Sequence, residues 1–74
     1  MSSENMASTW IILDKDGSKI GEAHAISPKV AFILYMSDKG HSLTLADVKA
    51  EPLPDGRARV THADKVHFLK KDHK

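Results

Sequence analysis

Four consecutive large apolar residues, Trp10-Ile11-Ile12-Leu13, run directly into Asp14-Lys15-Asp16-Gly17-Ser18. The first stretch is β-branched and aromatic, and the second carries the Asp-Gly pair favoured in tight hairpin turns, so the chain reads as a strand that reverses at once. With Asp16 and Gly17 at the centre of a two-residue turn, Leu13 faces Ile20, Ile12 faces Gly21, Ile11 faces Glu22 and Trp10 faces Ala23 on the returning strand. One face then presents Trp10, Ile12, Gly21, Ala23 and Ala25, small residues beside large ones, which leaves room for a helix to lie close. The other presents Ile11, Leu13 and Ile20 together with Glu22 and His24. Successive strand residues point to opposite sides, so a run of four large apolar residues asks for burial on both.

The rest of the chain supplies cover for one side. Ser27 and Pro28 have the chemistry of an N-cap and first helical position, and Gly40 that of a C-terminal stop, which predicts a helix of about twelve residues. Phe32-Ile33-Leu34-Tyr35 is as β-prone as it is helical, but segment length and both boundary signals favour the helix. Val30, Ile33 and Leu34 are expected to face the sheet, with Phe32, Tyr35 and Met36 spread around the side. Residues 43–49 (LTLADVK) alternate as a half-buried strand, and Pro54-Asp55-Gly56 turns the chain into a further strand over residues 57–62. Arg57, Arg59 and Thr61 share one face of that strand, and Ala58, Val60 and His62 the other. Val66, Phe68 and Leu69 form a last apolar cluster over residues 65–70, read as an edge strand in preference to a short helix capped by Asp64. The expectation is an α+β fold: a single small domain over residues 8–70, with an antiparallel sheet of four or five strands in the order ββαββ plus a fifth, and one α-helix packed on one face. Residues 1–7 are expected to be a disordered tail and residues 71–74 a basic one.

One helix leaves Ile11, Leu13 and Ile20 uncovered, and this shortage is acute in 74 residues. A chain of this mass buries only about 60% of the surface its extended form exposes. It has no cysteine, so neither disulfides nor thiolate metal sites supplement the core, and a reducing cytoplasm suits it. Its longest apolar run, Val30 to Met36, is far below the roughly 20 residues of a spanning helix, and MSSENMA at the start lacks secretory-signal features. A homodimer, a protein partner or a tail folded back would provide the missing cover; self-association is the first expectation, through Ile11, Leu13, Ile20, Tyr35 and Met36.

The formal charge of +1 hides an asymmetry. Residues 1–56 hold five lysines against eight acids, or −3, whereas residues 57–74 hold six cations against two acids, or +4. Arg57, Arg59, Lys65, Lys70 and Lys71 are thus candidates for a phosphate-driven contact with nucleic acid, although Trp10 and Phe32 are better spent in the core than as base-stacking platforms.

Signals of catalysis fail. Asp14-Lys15-Asp16-Gly17-Ser18 opens like a calcium loop, but the required Gly and Glu positions hold Lys19 and Ala25. No P-loop, dinucleotide fingerprint, nucleophile elbow or His-Glu-x-x-His occurs. His62 and His67, with Asp64 between them, have zinc-ligating chemistry, yet histidine is tolerated in such polar contexts without any metal. No metal, cofactor or small-molecule substrate is evident from the residues. The reading is a non-catalytic binding or adaptor domain that self-associates. Its alternatives are an electrostatic nucleic-acid binder, and an accessory or regulatory role of the kind small bacterial and phage proteins fill.

Overall fold

In a computed structural model that describes residues 7–72, the chain forms β1 (Ser8–Leu13), β2 (Lys19–Ala25), α1 (Pro28–Asp38), a single 3₁₀ turn (Leu45–Asp47), β3 (Val48–Pro52), β4 (Ala58–His62) and β5 (Lys65–Lys71). All five strands join one antiparallel sheet in the order β2-β1-β5-β4-β3, with α1 packed on one side. The α+β expectation with a fifth strand is met. The tail expected over residues 1–7 lies outside the described residues except for Ala7, and the basic tail over 71–74 except for Lys71 and Asp72. Those two continue the sheet: Lys71 is the last residue of β5, and the Asp72 N–H donates to Thr9 O at 2.8 Å.

The position of β5 corrects the sequence reading. It is not an edge strand but the centre of the sheet, paired with β1 on one side and β4 on the other. The physical reason is its residue pattern: His67 and Leu69 serve one face and Val66 and Phe68 the other, so like β1 it carries apolar groups on both. The two strands that need burial on both faces are neighbours, and β2 and β3 take the edges.

The first hairpin departs from expectation by one residue. Gly17 N–H donates to Asp14 O and Asp14 N–H to Ser18 O, so the loop has three residues, with Gly17 at φ 90°, a conformation glycine adopts without a Cβ penalty. Leu13 consequently faces Lys19, not Ile20, and a β-bulge at Ile20 restores the expected pairs Ile12–Gly21, Ile11–Glu22 and Trp10–Ala23. A second correction concerns residues 43–49. The Asp47 carboxylate accepts the Thr44 N–H at 2.9 Å and the Thr44 hydroxyl at 3.1 Å, closing a 3₁₀ turn, so the strand begins only at Val48. Local side-chain bonds of this kind compete with the sheet ladder.

The helix boundaries fall where the caps put them. Ser27 Oγ accepts the Val30 N–H at 3.3 Å and Pro28 opens the first turn. At the other end, Gly40 N–H bonds Ser37 O and His41 N–H bonds Met36 O, a Schellman closure. Its inward face is not the expected one. Ala31 and Phe32 are fully buried, Val30, Ile33, Tyr35 and Met36 pack around them, and Leu34 is 47% exposed on the outer side. The small residues of β2 decide this rotation. Tyr35 lies directly on Gly21, close enough that a Cβ there would stand 2.8 Å from the ring's Cδ1. Phe32 then reaches the centre of the core with Trp10, Ile12, Val48, Val60 and Leu69. Trp10 satisfies its indole N–H on Ala25 O at 3.1 Å.

Candidate binding face of the sheet

Among the described residues no helix or further strand lies opposite α1, which leaves the second side of the sheet open. Strand alternation and the ladder registers fix what it presents. Ile11 sits between Glu22 on β2 and Lys70 on β5, Leu13 between Lys19 and Phe68, Phe68 between Leu13 and Arg59, and Val66 beside Thr61. Ile11, Leu13, Phe68 and Val66 thus form one apolar stripe along the two central strands, with Lys49, Glu51 and Arg59 toward the β3 edge and Glu22 and His24 on β2.

The stripe is partly covered by its own long side chains. The Arg57 guanidinium stands 5.2 Å from the Phe68 ring centroid, while its Nε donates to Asp55 at 2.7 Å. The Arg57 backbone N–H, and then its side chain, hold the Asp55 carboxyl below the usual carboxylate range. Arg59 donates from Nε to Glu51 at 3.0 Å and adds a second bond from its terminal nitrogen, and Lys19 pairs with Glu22 at 3.1 Å. Exposed pairs such as these add little stability, but they occupy Arg57 and Arg59, two of the five cations that a nucleic acid would use.

The residues singled out from the sequence do not form one patch. Ile11 and Leu13 lie on the open side, but Leu13 is only 7% exposed without any partner chain. Ile20 is 38% exposed at its bulge, and Tyr35 and Met36 are on α1, across the sheet. The basic set divides similarly. Arg57, Arg59 and Lys70 border the open face, whereas Lys65 pairs with His62 and Lys71 with Trp10, which puts both in register with the helix side. Phe68 and Val66 are the members of the stripe that were missed. Their signal was the two-faced apolar pattern of β5, identical in kind to that of β1.

On the helix side, Phe32 is flanked by His67 and His62, with ring centroids 4.9 and 6.4 Å away. Burial pushes the His67 imidazole below its ordinary pKa, and its Nδ1 is buried without a hydrogen-bond partner. Among the described residues, no three His, Cys, Asp or Glu side chains converge as a metal site, and no helix is long and apolar enough to cross a membrane. Compared with family models, with curated proteins and with solved structures, the chain finds no match in any of the three, so the functional reading rests on the surfaces themselves.

Proposed function

We propose that the chain is a non-catalytic protein-binding domain that works through the open face of its sheet, with a second copy of itself as occupant. One observation carries the reading: Ile11, Leu13, Phe68 and Val66 are contiguous on β1 and β5, Ile11, Phe68 and Val66 are only half-buried there, and among the described residues no helix or strand packs on that side. A two-fold axis running along β5 would lay the β2 edge over the β3 edge, and the register Lys19–Leu13–Phe68–Arg59–Glu51 sets Lys19 of one copy at the level of Glu51 of the other. Five strands at their usual spacing and length give a face of about 500 Å², below the roughly 800 Å² per partner of a stable complex, so the association is weak and reversible. A cysteine-free chain doing this suits a reducing cytoplasm.

The test is sedimentation equilibrium from about 10 μM to about 1 mM, a range that brackets weak association. The weight-average mass rises from 8.2 kDa toward twice that value, and Ile11→Lys holds it at the monomer with an unchanged circular dichroism spectrum. A strict monomer throughout would sink the proposal. The electrostatic alternative has its own signature: a fluorescent single-stranded oligonucleotide bound more weakly as salt rises, and released by Arg59→Glu and Lys70→Glu while Ile11→Lys still binds.

A further inference from the structure

We propose that the helix side of the sheet carries a second, independent site: a cleft that binds a small apolar carboxylate. It arises because a single helix cannot roof five strands. α1 lies chiefly over β2, and near its start at Pro28 it leaves the β5-β4-β3 corner open as a concavity of about 330 Å³. The floor is made of small residues. Ala58 on β4 and Ala50 on β3 have their side chains on the helix side by register, and Trp10, Pro28 and Pro52 stand around them. Larger residues at Ala50 and Ala58 would fill the space that the helix leaves.

The charge at the rim selects the ligand: Glu51 and Arg57 also line it, but Glu51 is paired with Arg59 and Arg57 with Asp55, so the Lys71 ammonium is the charge that meets a ligand. Lys71 is the cross-strand partner of Trp10, and its Nζ stands 5.6 Å from the Trp10 ring centroid, at the mouth of the cleft. An alkyl or aryl group laid on Ala50 and Ala58 therefore brings an attached carboxylate to an ammonium, while its apolar part displaces water from alanine, proline and indole surface. At the roughly 30 Å³ that a water takes in the liquid, the cleft holds about ten non-hydrogen atoms, which fits a short-chain acid and excludes a folded protein segment.

The probe is octanoate, with octanamide as its neutral counterpart, and the reporter is Trp10, the only tryptophan in the chain. A ligand this small binds with a dissociation constant of about 1 mM or below in a fitting cleft. Octanoate should change Trp10 emission saturably and shift the amides of Ala50, Gly56 and Ala58 without moving those of Ile11 and Phe68. Lys71→Gln, at an exposed position, weakens octanoate by up to about fivefold and leaves octanamide unaffected. Ala50→Leu fills the floor and removes binding of both. The inference is overturned if emission does not saturate by about 10 mM, if the shifted amides lie on the open face, or if Lys71→Gln leaves octanoate binding unchanged. This site and the self-association face lie on opposite sides of the sheet and share only Glu51 and Arg57 at its β3–β4 end, so Ala50→Leu and Ile11→Lys test them separately and either can fail without the other.

Discussion

A methyl group added at Gly21 tests the packing that orients the whole helix. The new Cβ of Gly21→Ala would lie 2.8 Å from Tyr35 Cδ1 and closer still to Cε1. Carbon atoms are comfortable at about 3.5–4 Å, so the ring must retreat by roughly 1 Å. Its retreat is obstructed: Tyr35 packs against the core, and its centroid is 6.3 Å from that of Phe32, which is completely buried. Overpacking of this kind costs about 1–3 kcal/mol, and replacing a strand glycine by alanine returns roughly 0.5–1 kcal/mol, for a net loss near 1 kcal/mol or somewhat more. For a domain of this size the urea slope is about 1 kcal/mol/M, so the midpoint should fall by about 1 M or more with the slope unchanged. The decisive measurement is the double-mutant cycle with Tyr35→Ala. Once the ring is gone, the methyl meets open space, and Gly21→Ala becomes neutral or stabilising, a coupling of about 1 kcal/mol or more. Equal losses in both backgrounds would show that the ring over Gly21 does not set the position of α1.

Two further substitutions probe the sheet. His67 is held neutral in the fold chiefly by burial, with Lys65 and His62 adding to the depression and Asp14 opposing it. The unfolded chain therefore takes up the proton first, so this contribution to stability is complete above about pH 6.5 and is lost as pH falls through the lower folded value. The urea midpoint should drop between neutral and acidic pH, and less so in His67→Leu; an identical drop in both proteins would clear His67 of responsibility. At the β4–β5 turn, Ala63 has φ 55°, a left-handed conformation that costs a residue with a Cβ about 1 kcal/mol. Ala63→Gly should accordingly raise stability by roughly 0.5 kcal/mol in denaturant melts, and a loss would mean that the turn gains more from a stiffer unfolded chain.

Local signals in the sequence were read correctly where the physics is local. Ser27, Pro28 and Gly40 act within a few residues of themselves, and they bound α1 as expected. The alternation of β1 likewise put Trp10 and Ile12 under the helix. Errors came where the deciding partner is distant or is a competing local bond. Nothing near residues 65–70 tells β5 to pair with β1; only the match of two-faced apolar patterns implies it. The strand expected from Leu43 was pre-empted by Asp47 closing on Thr44. An all-round apolar helix does not specify its own inward face, which was settled by Gly21 on another element. The apolar stripe is hidden for the same reason, since half of it is β5.

Whether a partner can use the stripe depends on Arg57, which already lies over Phe68. The guanidinium–ring contact is worth about 0.5–1 kcal/mol at an exposed site. Completing the burial of a phenylalanine that starts half-covered gains a fraction of the roughly 1.5–3 kcal/mol that full burial supplies. The two are of similar size, so under the proposed self-association displacing Arg57 would offset much of what the ring contributes. Removing it shifts that balance. Arg57→Ala should therefore raise the weight-average mass at a fixed concentration, about two- to fivefold in the association constant, in line with the lost contact. The fold should persist, because Arg57 is partly exposed and its ion partner is Asp55 at the surface. If Arg57→Ala instead weakens association, the guanidinium is part of the interface and not its cover, and the partner copy must present a carboxylate or a carbonyl to it.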